Sequence, residues 1–160
     1  MDIAIYPGSF NPITLGHLNI LERALGIFSE VTLLVAINPN KEPLFSQEES
    51  MDMISEAISG LPGAKVDFHN GLIVDYAQGH GICTAVRGLR AVTDFEHEFS
   101  MALTNRSLWP NFDTVFLMTK AEYMYLSSSV VRQVSQMGGN VAQFVPPCVE
   151  RRLREKFGHA

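Results

Sequence analysis

The sequence predicts an α/β fold, a single-domain, Rossmann-like, five-stranded parallel sheet with helices on both faces. Strand-length apolar runs alternate with helix-length amphipathic runs along the chain, and this order favours parallel strands joined by right-handed crossovers. The run over 31–37 is apolar at nearly every position, as expected of a strand that is covered on both faces. A chain of 160 residues is long enough to bury a core, so we predict one domain over 1–160.

Hydrophobic periodicity places the elements along the chain. We predict strands at 3–6, 31–37, 65–69, 84–87 and 114–118. We predict helices at 15–28, 46–59, 72–78, 94–107, 129–137 and 147–157.

Residue details support several of these helices. In the first helix, apolar residues recur at helical spacing from Leu18 to Phe28. The second begins with Ser46 and Glu49, which fit a capping box. The helix over 94–107 has apolar residues on one side: Phe95, Phe99, Ala102 and Leu103.

Charge and composition exclude several classes of partner. The net charge of −5 argues against a long nucleic acid, which needs a broad basic face, but not against a small phosphorylated ligand. No apolar run approaches the length of a membrane span, and the N-terminus does not resemble a signal peptide. Cys83 and Cys148 have no metal-ligand spacing or redox partner, so we interpret both as reduced packing residues of a cytoplasmic protein.

The first strand leads into a Gly/Pro/Asn turn with Ser9 on one side and His17 on the other. Thr14 is suited to cap the next helix, and Gly16 keeps side-chain bulk away from a bound group. The first turn of a helix offers free N–H groups and a favourable dipole to an anion, so this layout predicts a phosphate site. The plainer alternative is a strand, a turn and a helix whose histidine is only a surface residue.

Other polar clusters follow the ends of later strands. Lys41 lies in a loop with two prolines, which restrict its backbone. Arg87 and Arg90 flank a Gly-Leu pair, and three serines over 127–129 open a later helix. Because the carboxyl ends of parallel strands meet at one edge, where ligands bind, we expect these groups to form one site.

Each cluster also has an explanation without a ligand. Lys41 suits a solvated turn, and strand-end arginines often bond loop carbonyls or nearby acids. A serine-rich helix start is frequently only a cap. Asp94 and Glu96 are explained by the dipole of the helix that they begin.

Two strings carry a family resemblance. G-S-F-N-P-I-T-L-G-H resembles the [ST]-F-x-P-x-x-x-G-H signature of the nucleotidylyltransferase superfamily, and L-S-S-S-V-V-R resembles its I-S-S-[ST]-x-x-R signature. With N-K-x-P, R-G-L-R and D-F-E-H-E, the chain is similar to the bacterial phosphopantetheine adenylyltransferase family over nearly its whole length. Asn11 departs from that family, which usually has aspartate there; the change removes a charge beside the phosphate site, with an expected effect on nucleotide affinity or metal use.

The resemblance implies the nucleotidylyltransferase fold and adenylyl transfer from ATP to 4′-phosphopantetheine, giving dephospho-coenzyme A and pyrophosphate in coenzyme A biosynthesis. It implies Mg²⁺ with the triphosphate, no protein metal ligand, and a homohexamer. It implies catalytic roles for His17 and Lys41. The implied substrate-binding residues are Ser9, Lys41, Ile73 and Arg87. The implied ATP-binding residues are Ser9, Phe10, His17, Gly88, Leu89, Arg90, Glu98, Tyr123, Met124, Tyr125, Leu126, Ser127, Ser128 and Ser129.

Two alternatives stay open. One is another small-substrate nucleotidylyltransferase, such as a nicotinamide mononucleotide adenylyltransferase or a cytidylyltransferase; R-G-L-R and D-F-E-H-E weigh against it. The other is a non-catalytic ATP-binding sensor. Retention of His17, Lys41 and both arginines weighs against a sensor, which has no need of groups that stabilise a transition state.

Overall fold

The computed structural model describes residues 2–159, apart from the side chains of residues 92 and 93. In that range the strands β1 to β5 are Ile3–Gly8, Glu30–Ala36, Ala64–His69, Thr84–Leu89 and Asp113–Met118. The helices α1 to α6 are Leu15–Leu25, Gln47–Ile58, Ile73–His80, Val92–Leu108, Ser128–Gln136 and Pro147–Phe157. A short 3₁₀ helix at Ala121–Tyr123 precedes α5.

The strands form one parallel sheet in the order β3-β2-β1-β4-β5, which confirms the predicted fold class. The chain adds β2 and β3 on one side of β1, then crosses to add β4 and β5 on the other. The order therefore reverses between β1 and β4. In sheets of this kind, the crevice beyond the strand ends at the reversal is where ligands bind.

Side chains of each strand alternate between the two faces of the sheet. Tyr6 and Leu33 belong to a large buried cluster with α1, α2, α5 and α6. Ile5 and Leu34 belong to a smaller cluster on the opposite face, with α3 and the buried ring of Phe112. Helices on both faces explain why β2 is apolar at nearly every position.

Most element boundaries differ from the predicted ones by only a few residues. The helix α1 ends at Leu25, three residues earlier than predicted, and Gly26 follows as its C-cap. The predicted capping box of α2 is confirmed: the Ser46 hydroxyl accepts from the Glu49 N–H at 3.2 Å, and the Glu49 carboxylate accepts from the Ser46 N–H at 2.7 Å. Cys148 is buried as predicted, but Cys83 is exposed just before β4, so the packing role predicted for it is wrong.

Three apolar residues of α4 are exposed. Phe95, Phe99 and Leu103 are 44%, 48% and 54% exposed, although the helix packs against β4, β5 and α3. Apolar and polar residues are only weakly separated around this helix, so its sequence does not identify the buried face. None of the described helices is long and apolar enough to cross a membrane.

Candidate active site

A cleft of about 270 Å³ opens beyond the carboxyl ends of β1 and β4, where the strand order reverses. The structure brings there most of the residues that the sequence predicts for catalysis or binding. They are Ser9, Phe10, His17, Lys41, Arg87, Gly88, Arg90, Glu98, Tyr123, Leu126, Ser127, Ser128 and Ser129. These residues come from four separate strand ends, as the carboxyl-edge rule requires.

The helix α1 begins with reciprocal hydrogen bonds between Thr14 and His17. The Thr14 hydroxyl accepts from the His17 N–H at 3.3 Å, and the His17 Nδ1 accepts from the Thr14 N–H at 3.0 Å. This is a capping box in which histidine replaces the usual Glu or Gln. Since a backbone N–H only donates, Nδ1 carries the lone pair and Nε2 carries the proton.

The environment of His17 keeps its imidazole neutral. Burial lowers the pKa of His17 to about 3, and the positive charges of Arg87 and Arg90 act in the same direction. The ring packs edge-on against Phe10, with 5.0 Å between ring centroids. His17 therefore lines the cleft as a fixed, uncharged N–H donor.

The turn before α1 holds the aromatic ring beneath His17. Phe10 is 1% exposed and has a φ of 43°, a left-handed conformation that is rare for a bulky residue. A Cβ at Gly8 would lie 3.0 Å from the Phe10 ring, so glycine leaves the space that the ring needs. Tyr6 packs against the same ring at 5.2 Å, and its burial raises its pKa.

Arg87 is fixed by groups from two other elements. Its Nε and Nη2 donate to the two carboxylate oxygens of Glu98 at 2.7 and 2.5 Å, and Nη1 donates to the Pro7 carbonyl. The plainer explanation, that these arginines bond acids and carbonyls, thus applies in part. Glu98 is 9% exposed and both of its oxygens accept from Arg87, so it orients the Arg87 guanidinium.

Arg90 lies on the other side of the cleft. Its Nε donates to Asp94 at 3.0 Å, and its Nη1 donates to the Leu126 carbonyl at 2.8 Å. Between the arginines, a Cβ on Gly88 would lie 3.0 Å from Ile20 of α1, so the close approach of helix and strand requires a small residue. Both guanidinium groups thus have fixed orientations before any ligand binds.

The serines at the start of α5 have different partners. The Ser127 hydroxyl caps the helix by accepting from the Val130 N–H at 3.2 Å, and the Ser128 hydroxyl donates to the Pro12 carbonyl at 2.7 Å. Within the described residues, no hydrogen bond engages the N–H groups of Ser128 and Ser129. Two backbone donors at a helix N-terminus are therefore available to an anion in the cleft.

Lys41 is exposed at the mouth of the cleft. Its N–H donates to the Asn38 carbonyl at 3.2 Å, so the loop is folded on itself. No ion pair or hydrogen bond among residues 2–159 engages the Lys41 ammonium. The side chain is free to meet a phosphate.

Ile73 lies in a second cavity that adjoins the cleft. The two spaces share Ser9, Arg87 and Glu98, and the second has apolar walls from Ile73 and Met101. Arg87 therefore separates a polar cleft from a more apolar cavity. A molecule with a phosphate at Arg87 would have room for an attached arm beside Ile73.

Not every predicted residue lines these spaces. Leu89 is buried, and Met124 and Tyr125 are 49% and 63% exposed. None of these three predicted ATP-binding residues lines the cleft. Thr119 lines the cleft and was missed, although its position just after β5 is a usable signal. Tyr6 was also missed, because within an apolar strand nothing distinguishes it from a core residue.

The acidic residues of the cleft are already paired, Asp94 with Arg90 and Glu98 with Arg87. In the part of the chain that the structure describes, no group of three or more His, Cys, Asp or Glu side chains is placed to hold a metal ion. Both carboxylates are thus engaged by guanidinium groups in this structure.

Comparisons with known proteins agree with this geometry. A family model described as cytidylyltransferase-like matches residues 5–134. The phosphopantetheine adenylyltransferase of Heliobacterium modesticaldum is 50% identical over 99% of this chain and 94% of its own length. That of Desulforudis audaxviator is 52% identical over 99% of this chain and 97% of its own.

A similar fold occurs in a solved bifunctional NMN adenylyltransferase/ADP ribose pyrophosphatase from Francisella tularensis, complexed with AMP and a manganese ion. The TM-score is 0.70 at 17% identity over 96% of this chain. This chain spans about half the length of that protein, 48%. At this identity the likeness concerns the fold alone.

We expect His17 to stay neutral between pH 8 and pH 5, with the proton on Nε2, because burial and two arginines lower its pKa to about 3. Nitrogen-15 NMR of the imidazole, assigned with a His17→Gln variant, measures this directly. A titration midpoint near 6.5 would contradict the assignment.

The same shift predicts a pH-dependent stability. Below pH 6.5, His17 is protonated in the unfolded chain but stays neutral in the native protein. The free energy of unfolding therefore falls as the pH drops from 6.5 toward 3. The loss is at most about 1.4 kcal/mol per pH unit. His17→Gln should remove it, because glutamine accepts the same cap hydrogen bond without titrating; urea unfolding at pH 7 and pH 5 measures the difference.

Proposed function

The chain belongs to the cytidylyltransferase-like family and, within it, to the phosphopantetheine adenylyltransferases, and we propose that it transfers the adenylyl group of ATP to 4′-phosphopantetheine. The products are dephospho-coenzyme A and pyrophosphate, as in coenzyme A biosynthesis. The observation that supports this substrate pair best is the position of Arg87 between a polar cleft and an apolar cavity. A nucleotide fits the first space and a phosphate-bearing arm fits the second.

The reaction is a displacement at the α-phosphorus of ATP. A phosphate oxygen of phosphopantetheine attacks in line, and the bond between the α-phosphorus and the bridging oxygen of pyrophosphate breaks. The nucleophile is already an anion at neutral pH, so the site needs no general base. Catalysis then consists of positioning the two substrates and stabilising the charge that develops on the α-phosphate oxygens.

We assign that charge stabilisation to His17 and Lys41. The ring of His17 is fixed and half-buried, and in such a desolvated position a hydrogen bond from Nε2–H to a developing anion is stronger than in water. Lys41 adds a positive charge from the opposite loop and bridges the attacking phosphate and the α-phosphate. The two groups share the cleft with the Ser9 hydroxyl, which orients the same phosphates.

Arg87 holds the phosphate of phosphopantetheine in this proposal. A guanidinium has five N–H donors, and Glu98 and Pro7 engage three of them. Among the residues that the structure describes, no acceptor engages the other two N–H groups, so they can donate to a phosphate oxygen. Ile73 then contributes apolar surface to the arm that extends from it.

The start of α5 and Arg90 bind the triphosphate. The N–H groups of Ser128 and Ser129 and the guanidinium of Arg90 converge on the cleft from the side opposite Arg87. We propose that ATP reacts as its Mg²⁺ complex, with the ion held by phosphate oxygens and water. The pairing of Asp94 and Glu98 with arginines supports this arrangement.

We further propose that the protein works in the cytoplasm as a homohexamer. Exposed Cys83 carries a free thiol, which suits a reducing compartment. The exposed aromatic rings of Phe95 and Phe99 stack on each other at 5.5 Å on α4. Adjoining exposed apolar residues such as Leu103 extend this surface, and such a patch is typical of a protein interface.

Pyrophosphate release tests the reaction. We expect release from ATP on adding 4′-phosphopantetheine, and none with nicotinamide mononucleotide, or with glycerol 3-phosphate and CTP. Release with only nicotinamide mononucleotide, or only glycerol 3-phosphate and CTP, would support nucleotidyl transfer and refute 4′-phosphopantetheine as the substrate. If no assay releases pyrophosphate although the protein binds ATP, the result would favour a non-catalytic ATP-binding sensor.

His17→Ala should lower kcat by ~10²–10³, as expected for the loss of one preorganised donor. His17→Gln should lose less, because its amide retains the cap and an N–H donor. His159→Ala is the matched control, since it removes an exposed histidine that lies outside the cleft. Near-normal turnover by a folded His17→Ala protein would refute the role.

Phe99→Glu should break the assembly, because it places a charge within the exposed α4 surface. Light scattering after size exclusion should give six copies for the wild type and fewer for the variant. Glu96→Gln, on the same helix and also exposed, is the control and should remain assembled. A monomeric wild type would refute the hexamer, and a hexameric Phe99→Glu protein would refute this interface.

A further inference from the structure

Asn11 lies beside the cleft and has a fully engaged amide. Its Oδ1 accepts from the backbone N–H groups of Leu44 and Phe45 at 2.9 and 3.1 Å. Its Nδ2 donates to the Phe45 carbonyl at 2.9 Å and to the Ser50 hydroxyl at 3.2 Å. The side chain is buried, with 9% exposed, and the reaction described above does not use it.

These hydrogen bonds join two catalytic segments that are distant in sequence. Asn11 follows Ser9 by two residues and precedes Thr14, which caps His17. Leu44 and Phe45 lie just beyond Lys41, at the downstream end of its loop. One buried amide thus connects the turn that carries His17 to the loop that carries Lys41.

Packing alone does not hold the Lys41 loop in place. A cavity of about 190 Å³ lies beneath it, between the loop and the side chains of Val35 and Phe68. The loop is exposed from Asn38 to Pro43. Among the described residues, only two side chains from other parts of the chain donate hydrogen bonds to the loop or its downstream end. One is Asn11, and the other is Arg132, whose Nη1 donates to the Glu42 carbonyl at 3.3 Å. Leu44 and Phe45 pack against the core, and Phe45 is 2% exposed, so packing and the hydrogen bonds to Asn11 together hold the downstream end of the loop and limit where Lys41 lies.

We infer that Asn11 is a positioning residue that sets Lys41 relative to His17, and that the two hydrogen bonds donated by its Nδ2 contribute to this placement. A carboxylate would still accept from Leu44 and Phe45, and its second oxygen could accept from the Ser50 hydroxyl, but that oxygen would also face the Phe45 carbonyl. Two acceptors facing each other in a buried site repel.

This role differs from the effect on nucleotide affinity or metal use that the sequence led us to expect for Asn11. Its oxygen already accepts two N–H groups and its nitrogen already donates twice, so neither atom is free for a ligand. The inference rests on the proposed function only for the role of Lys41. The tether itself is a property of the fold.

The first test is kinetic and uses Asn11→Asp. We expect kcat to fall about 10- to 100-fold, as for a catalytic group displaced by roughly 1 Å. The affinity for ATP should change little. The effect should vanish in a Lys41→Ala background, because Asn11 acts through that side chain. Asn140→Asp is the matched control: it removes the same donor at an exposed asparagine outside the cleft, and should match the wild type.

Wild-type kcat for Asn11→Asp would overturn the inference. An equal loss of rate in the wild-type and Lys41→Ala backgrounds would also overturn it, since that result indicates a general structural effect. If Asn11→Asp does not fold, Ser50→Ala replaces it. That variant removes one partner of the amide and leaves the Phe45 bonds, so we expect a smaller loss of the same kind.

The second test does not need the reaction. Hydrogen exchange of the Leu44 and Phe45 amides should be slow in the wild type and about tenfold or more faster in Asn11→Ala, which removes their acceptor, with the Ser46–Glu49 cap unchanged. Unchanged exchange would overturn the inference. If no pyrophosphate is released by the wild type, the proposed function fails, while this measurement still decides whether Asn11 holds the loop.

Discussion

The hydrogen bonds exchanged by Thr14 and His17 are the interaction on which the rest of the site depends. They begin α1 and fix the ring, and they assign the proton to Nε2 because the Thr14 N–H requires an acceptor. Two arginines nearby and the buried position then hold the ring neutral. The same contact that stabilises a helix end therefore determines the chemistry that the histidine can perform.

The cleft concentrates positive charge on a protein with a net charge of −5. Glu98 and Asp94 partly offset Arg87 and Arg90, which reduces the free energy required to hold two half-buried cations near each other. Their second effect is orientation, since each carboxylate fixes a guanidinium plane before a ligand arrives. Within residues 2–159, no acidic side chain pairs with the Lys41 ammonium, so this group can interact with the phosphate of a bound substrate.

The sequence predicts this site to the extent that local rules govern it. Strand ends locate Ser9, Lys41 and the arginines at one edge, and helix caps locate Thr14 and Ser46. Contacts between distant segments follow no local rule. The bonds from Asn11 to Phe45 span 34 residues, and that from Arg87 to Pro7 spans 80. The buried face of α4 was also unpredictable, since its apolar and polar residues are only weakly separated around the helix axis and identify no single face.

A crystal structure with a non-hydrolysable ATP analogue and 4′-phosphopantetheine tests the assignment of the two spaces most directly. An α-phosphate oxygen should lie about 3 Å from the Nε2 of His17. The second phosphate should contact Arg87, with its arm beside Ile73. Nucleotide phosphates bound away from His17, or a pantetheine arm outside the cavity next to Arg87, would contradict the proposed chemistry.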